Sequence, residues 1–292
     1  MTIKRLHLLP ALVAIILLAT FIITYIIAVI LDHARPFWPY ISDTGTTHPE
    51  SMIFGQFLNL GSVFIFLTMY VRYLLVNKKY LHDPNFPNYK NVKLFNKISL
   101  WFALYTSVGA SLVANFQETV AIIPHMIGAS SCYIGGTTYF TLQAIISYMT
   151  CPHINTLQMA RFRLFLAILS GFLTAICGLF GIISYFMFTK SVKDIPKWAP
   201  GEGGFEIHIV SSLSEWAVTV LFAIYFITFV KDFKNVIVTC PKLEFVNQLP
   251  NRSYNPCTIS TVDRTTKKVE EDNNKNIALT ENISLTNLVQ SV

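Results

Sequence analysis

The stretch LLPALVAIILLATFIITYIIAVIL, residues 8–31, predicts the fold class because it is apolar over about 24 consecutive positions. At 1.5 Å per residue, a helix of this length spans the roughly 30 Å hydrocarbon core of a bilayer. Lys4 and Arg5 precede it, as basic residues precede a cleaved signal peptide. However, the run is longer than the roughly 7–15 apolar residues of a signal peptide, and no clear cleavage site precedes Asp32. We therefore predict a membrane-spanning helix that acts as a signal anchor.

Five further apolar runs, each of about 19 residues or more, follow the first one. In the whole chain 53% of residues are hydrophobic and 13% are charged, and the mean hydropathy is +0.49. This composition differs from that of a soluble domain. We predict an all-α, polytopic membrane domain at residues 1–235, with six transmembrane helices at about 8–31, 52–76, 98–116, 122–149, 164–188 and 208–230.

The distribution of lysine and arginine predicts the orientation, because these residues accumulate on the cytosolic side of membrane proteins. With a cytosolic N-terminus, the cytosolic side contains Lys4, Arg5, Lys78, Lys79, Lys90, Lys93, Lys97, Arg161 and Arg163. The opposite connections contain fewer, namely Arg35, Lys190, Lys193 and Lys197. Both termini are therefore predicted to be cytosolic.

The C-terminal segment 236–292 differs in composition from the rest of the chain. It is rich in Asn, Thr and Ser and has few aromatic residues. Such a segment cannot bury enough apolar surface to fold alone. It is predicted to be a disordered cytosolic tail that is available to partner proteins.

The five cysteines indicate neither a disulfide framework nor a metal site. Under the predicted topology no outer connection contains a cysteine, and no CxxC or Cys/His cluster occurs. P-loop, dinucleotide-binding, HExxH and GxSxG motifs are also absent from the sequence. We therefore expect no enzymatic activity, no cofactor, no metal and no nucleic-acid partner.

A polar, turn-rich segment, Pro39-Tyr40-Ile41-Ser42-Asp43-Thr44-Gly45, connects the first two apolar runs, and Pro49-Glu50 follows it. Proline fixes its own φ, while Asp, Ser and Thr hydrogen-bond to nearby backbone groups. The segment is therefore predicted to be an ordered hairpin that forms an outer surface of the bundle. Asp43 and Glu50 alone are too few ligands for a cation site.

Polar residues inside the apolar runs form the second candidate site. An isolated carboxylate at Glu215 costs roughly 2.5–3.5 kcal/mol in a membrane and needs a partner. We predict an intramembrane polar cluster toward the outer side, composed of Asn115, Gln117, His125, His208 and Glu215. The cluster is either a polar clasp between the third, fourth and sixth helices, or a site that binds a ligand or protons.

Short motifs along residues 8–235 resemble those of the damage-regulated autophagy modulator (DRAM) family of six-span membrane proteins. They are the 39–45 segment with Pro49-Glu50, Val71-Arg72-Tyr73, 113–117, His125 with Gly128-Ala129, and a final block from Trp198 to Phe233. The resemblance implies modulation of autophagy from lysosomal or endolysosomal membranes, with a link to apoptosis. It also implies a non-enzymatic regulator or scaffold, embedded in the lipid bilayer, that recruits unidentified cytosolic or membrane protein partners.

Two alternatives come from other classes. More distant relatives of the superfamily resemble plasma-membrane organisers of phosphoinositide metabolism, which would place the protein at the cell surface. A proton-linked transporter or channel would instead use the buried Glu215 as its titrating group.

Overall fold

The computed structural model describes residues 2–3, 5–234 and 236–239. Six α-helices form its framework: α1 (Leu8–Ile30), α2 (Glu50–Lys79), α3 (Tyr89–Asn115), α4 (Ile122–Met149), α5 (Leu157–Met187) and α6 (Phe205–Phe233). Short 3-10 helices lie in two connections, at Ser42–Gly45 and Val192–Lys197. Two short strands, β1 (Thr2–Ile3) and β2 (Val238–Thr239), pair in antiparallel fashion.

The helices form a closed ring in which each packs against its neighbours in sequence, and α1 packs against α6 to close it. One end of the ring carries the connections 31–49, 116–121 and 188–204, and we call it the capped end. The other end carries the connections 80–88 and 150–156 together with β1 and β2, and we call it the terminal end. The strand pairing therefore brings the N-terminal residues and the segment after α6 to the same end.

The prediction of a helical membrane protein is confirmed. Within the described residues, α1, α2, α3, α5 and α6 are long and apolar enough to cross a membrane. The 28-residue α4 is as long as these helices, but glycine, serine and threonine in its middle make it less apolar. The count of six spans and the orientation of the termini stay predictions.

The outer faces of the ring are apolar. Large side chains there are exposed, including Ile15 at 64%, Ile168 at 65% and Phe186 at 81%. A protein in water does not leave so much apolar surface uncovered. The hydrocarbon of a bilayer covers such faces at no cost.

The interior combines an aromatic core with close backbone contacts. Phe140 of α4 stacks on Tyr225 of α6 at 4.0 Å and meets Phe226 edge-on at 5.3 Å. Between α3 and α4, a Cβ at Gly109 would lie 2.7 Å from the carbonyl oxygen of Gly128. Glycine is needed there because the two backbones approach so closely.

Several helices continue beyond the predicted apolar runs. For example, α3 begins at Tyr89 and α5 at Leu157, before the predicted starts at 98 and 164. Polar turns can stay helical outside the hydrocarbon, so helix ends and membrane boundaries need not coincide. Residues Met1–Cys240 form one compact unit. The predicted disordered tail, 236–292, lies outside the described residues except for its first four positions.

Candidate functional site

The connection between α1 and α2 folds into the capped end of the ring. We call residues 38–46 of this connection the cap. Its predicted hairpin is instead a 3-10 turn at Ser42–Gly45, and Ile41, Asp43 and Thr44 are at most 3% exposed. The predicted outer surface is therefore largely buried, while Pro49 is exposed.

Internal hydrogen bonds give the cap its shape. The backbone N–H of Tyr40 donates to Asp43 Oδ2 at 2.8 Å, and the Thr44 hydroxyl donates to the Ile41 carbonyl at 2.7 Å. The Thr46 hydroxyl donates to the Asp43 carbonyl at 3.0 Å. At Gly45 a Cβ would lie 2.5 Å from the Phe54 ring, so only glycine fits against α2. The polar side chains of the cap form hydrogen bonds within the turn itself, as their residue types predict.

Helix α6 holds the cap through three hydrogen bonds to its backbone. Glu215 Oε2 accepts from the Ile41 N–H at 2.8 Å, and Trp216 Nε1 donates to the Pro39 carbonyl at 2.9 Å. The Ser212 hydroxyl donates to the Trp38 carbonyl at 2.5 Å. These bonds pair backbone groups of the cap with α6 side chains and fix the cap against that helix.

Two buried carboxyl groups, those of Glu118 and Glu215, bond to the cap from beneath, and a third, that of Asp43, belongs to the cap. Asp43 is 1% exposed, Glu118 7% and Glu215 8%. Glu118 accepts from the Ser42 hydroxyl at 2.7 Å, and its Oε2 lies 3.9 Å from His125 Nε2. Burial raises the pKa of the Asp43 carboxyl well above its usual range, and the nearby Glu118 carboxylate raises it further. Sequence reasoning missed Glu118, although an acidic residue in a short connection beside Gln117 was a signal for it.

The five residues of the predicted polar cluster do not all lie together, because they contact different parts of the ring. His125 Nδ1 bonds to the Phe116 carbonyl at 2.7 Å, and Glu215 Oε1 accepts from the Tyr133 hydroxyl at 3.3 Å. Asn115 bonds instead to Asn59 of α2 at 3.0 Å. The clasp at Glu215 therefore joins α6 to the cap and to α4.

His208 lies in an aromatic enclosure apart from the carboxyl groups. Its ring stacks on Trp198 at 4.5 Å and meets Tyr40 edge-on at 4.6 Å. Its Nδ1 has no hydrogen-bond partner among the described residues. Gln117 lies in the connection at the α3–α4 corner, where its backbone carbonyl caps the next turn. The structure thus brings together Glu215, Glu118, Asp43 and His125, and leaves His208 and Asn115 elsewhere.

Glu50 pairs with a histidine side chain, whereas the sequence raised only the question of a cation site. Its Oε1 lies 2.7 Å from His33 Nδ1, and its side chain is fully buried at the start of α2. A carboxylate is favourable at a helix N-terminus. Glu50 therefore stabilises the α1–α2 connection.

An ion cluster at the terminal end joins four helices. Asp232 Oδ2 accepts from Arg163 Nη2 at 2.6 Å and from Arg72 Nη1 at 2.9 Å, and both arginines are 0% exposed. Arg72 Nε also donates to Gln143 at 3.1 Å. Both guanidinium groups lie over the Phe229 ring, at 5.4 and 4.9 Å. Sequence reasoning noted these charges as motif or flanking residues, but not that they meet.

A known protein family matches the chain over the residues that form the ring, the cap and the ion cluster. Residues 5–236 match the family model described as the Frag1/DRAM/Sfk1/Cwh43P N-terminal domain. The DNA damage-regulated autophagy modulator protein 1 of Mus musculus is 39% identical over 75% of this chain and 87% of its own length. Protein 1 of Xenopus laevis is 36% identical over 79% of this chain and 91% of its own length.

A second protein of this group is also similar to the chain. The DNA damage-regulated autophagy modulator protein 2 of Mus musculus is 37% identical over 80% of this chain and 85% of its own length. No solved structure matches the chain. The matched region includes the cap, the carboxyl groups beneath it and the ion cluster at the terminal end. The chain belongs to the DRAM family, within the Frag1/DRAM/Sfk1/Cwh43P group of membrane proteins.

Proposed function

We propose that the protein modulates autophagy from lysosomal or endolysosomal membranes, as a non-enzymatic regulator or scaffold with a link to apoptosis. The observation that carries the proposal is the match of residues 5–236 to a family whose relatives are named autophagy modulators. The matched residues 5–236 include the entire helical ring. The function is therefore proposed for the ring and not for a peripheral segment.

The internal contacts support a scaffold. Arg72 of α2 and Arg163 of α5 both bond to Asp232 of α6. Each arginine also donates to a side chain of α4, so the cluster joins four helices. Glu215 bonds to the cap. Groups engaged in this way hold the ring in one arrangement and present fixed surfaces at its two ends.

In the proposed topology all six helices span the bilayer, the capped end faces the lumen and both termini face the cytosol. The terminal end supports this orientation with exposed basic side chains, namely Lys78, Lys79, Lys90, Lys93, Lys97 and Arg161. Lysine and arginine prefer the cytosolic side and are attracted to its anionic lipids. Unidentified cytosolic or membrane partners would contact this end and the segment that follows α6.

Protease protection tests the topology. Protease added to sealed vesicles from cells that make the full chain should remove an epitope placed at the C-terminus. An epitope inserted at the exposed Thr47, beside the cap, should survive until detergent opens the vesicles. Loss of the Thr47 epitope in sealed vesicles, with survival of the C-terminal one, would overturn the orientation.

Localisation and autophagic flux test the function. Tagged full-length protein should lie mainly on membranes that carry a lysosomal marker, in fed and in starved cells. Its depletion should change autophagic flux, measured as marker turnover with and without a block of lysosomal degradation, and re-expression should restore it. A cell-surface majority with unchanged flux would contradict the proposal and favour the plasma-membrane alternative.

A further inference from the structure

Five exposed lysines lie together at the terminal end of the ring, where α2 ends and α3 begins. We call them the basic corner: Lys78, Lys79, Lys90, Lys93 and Lys97. Asp83 is the only acidic residue between positions 73 and 101, so five positive charges face one negative charge there. The α4–α5 connection at the same end, residues 150–156, contains neither lysine nor arginine. A general preference of basic residues for the cytosolic side does not explain this concentration at one corner.

The lysines of the basic corner have no carboxylate partners. None of them forms a salt bridge with a residue that the structure describes. At the capped end, by contrast, Lys197 pairs with Asp32 at 3.0 Å, and Lys190 pairs with Glu202. The ammonium groups of the corner are therefore available to an anion from outside the chain.

One lysine of the corner contacts an aromatic ring. Lys93 Nζ lies over the Tyr89 ring, 5.8 Å from its centroid. Such an attraction is weak at an exposed site, where water competes for the cation. It holds the Lys93 side chain near the helix start without neutralising its charge.

The basic corner continues the lipid-facing surfaces of two helices. On α3, Lys90 and Lys97 lie on the same side as the exposed Trp101, because seven and eleven residues are close to whole numbers of turns. On α2, Lys78 lies one turn beyond the exposed Leu74. An anion bound by these lysines therefore lies directly above the apolar faces that hydrocarbon covers. This position fits the head of a lipid.

The lysines lie at more than one height above the bilayer. Asn96 of α3 donates to Asn77 of the antiparallel α2 at 3.1 Å and so fixes the register of the two helices. Lys97 lies on the bilayer side of this bond, whereas the other four lysines lie beyond it. Along α3, Lys93 and Lys97 differ in height by about 6 Å, and Lys90 and Lys97 by about 10 Å. The cations therefore extend along the membrane normal as well as around the corner.

This arrangement matches a headgroup that carries phosphate at two depths. A phosphodiester at the glycerol level has one negative charge, and a phosphomonoester has about −1.5 to −2. A lipid with a single phosphate supplies an anion at one height only. In a phosphorylated inositol lipid, the ring separates a phosphodiester next to the glycerol from a phosphomonoester farther out. Lysine suits such a ligand because its ammonium group is a point charge with three donors and demands no fixed geometry.

We propose that the basic corner binds the head of a phosphorylated inositol lipid. Lys97 binds the phosphodiester, and the four lysines farther from the bilayer bind the phosphomonoester. The acyl chains lie against the apolar faces below Trp101 and Leu74. The proposed topology places this corner at the cytosolic leaflet, but binding does not depend on a role in autophagy.

A competition experiment tests the binding. Full-length protein in detergent is mixed with equal amounts of phosphatidylinositol 4-phosphate, phosphatidylinositol and phosphatidic acid that have the same acyl chains. Native mass spectrometry then identifies which lipids stay bound. The phosphorylated inositol lipid should exceed phosphatidylinositol at least about tenfold, because its monoester reaches several more lysines. It should also exceed phosphatidic acid, whose single phosphate lies at one height.

Two double variants locate the site. Lys93→Gln combined with Lys97→Gln should lower binding of the phosphorylated inositol lipid about tenfold, because it removes a cation from each height. Lys193→Gln combined with Lys231→Gln is the matched control, since both side chains are exposed outside the corner and the same net charge is lost. The control should bind as the wild type does.

Three results would overturn the proposal. Equal binding of the phosphorylated inositol lipid and phosphatidylinositol would remove the phosphomonoester from the site. Phosphatidic acid binding as tightly would remove the two depths, and an equal loss in both double variants would show that binding follows net charge alone. Detergent exposes both ends of the ring, so these results are independent of the orientation that protease protection measures.

Discussion

Replacing Asp232 by asparagine should strongly destabilise the ring. In the native protein Asp232 Oδ2 accepts from two fully buried guanidinium groups, at 2.6 and 2.9 Å. Arg72 and Arg163 carry two positive charges against one negative, so the cluster already has an excess of one. Asp232→Asn raises that excess to two and leaves both cations without a charged partner.

The expected loss of stability is about 3–5 kcal/mol, the usual cost of breaking a buried ion pair by removing one partner. The assay is thermal unfolding of the purified full-length chain in detergent, followed by the fluorescence of its tryptophans. A membrane protein often unfolds irreversibly, so variants are compared at one scan rate. Glu206→Gln, with its exposed carboxylate on the same helix, should unfold near the wild-type temperature.

A second substitution separates charge from shape. Arg72→Met removes the excess cation and leaves Arg163 paired one-to-one with Asp232, so it should cost much less than Asp232→Asn. Combining the two changes should recover part of the stability that Asp232→Asn loses, which a double-mutant cycle measures. If Asp232→Asn were near neutral, or if Arg72→Met cost as much, the electrostatic reasoning would be refuted.

Three further predictions concern packing, pH and the cap. Gly109→Leu should destabilise the α3–α4 contact by about 1–3 kcal/mol, because the new side chain would meet backbone atoms. Gly178→Leu is the control, since a Cβ at Gly178 meets nothing within 4 Å. Equal melting temperatures of the two variants would contradict this packing argument. Because the pKa of Asp43 is raised in the folded state, its contribution to stability is present at acidic pH and is lost as pH rises through the folded value. The wild-type melting temperature should therefore fall more from acidic to neutral buffer than that of Asp43→Asn, and parallel curves would count against this assignment. Trp216→Phe removes a hydrogen bond to the cap and should cost about 1 kcal/mol and speed hydrogen exchange within residues 40–46; the exposed Trp101→Phe should leave that exchange unchanged.

Individual residues show why part of the site was predictable. The apolar runs predict the helices because backbone polar groups in hydrocarbon must bond within their own segment. The residue types of 39–45 predict an ordered turn, because their side chains bond to nearby backbone. The isolated carboxylate of Glu215 predicts a partner, because a bare charge in a membrane is too costly. Each of these conclusions depends on local chemistry alone.

The bonding partners of these side chains could not be predicted from neighbouring residues in the sequence. Glu215 bonds to Ile41, which is 174 positions away, and Arg72 reaches Asp232 across 160 positions. Such pairs depend on which faces of the helices turn inward and on the closure of α1 against α6. His208 lies among aromatic rings and not with Glu215, although both occupy one face of α6, because Trp198 and Tyr40 enclose it.

Hydrophobic length and motif order are properties of the linear chain, so the order of residues was enough to predict a helical membrane protein of the DRAM family. The inward fold of the cap, the bonds from Glu118 and Glu215 to it and a cavity beside them are visible only in the folded ring. Burial and charge pairing arise between segments far apart in the chain, after the ring has closed. Neither has a signature within any single helix.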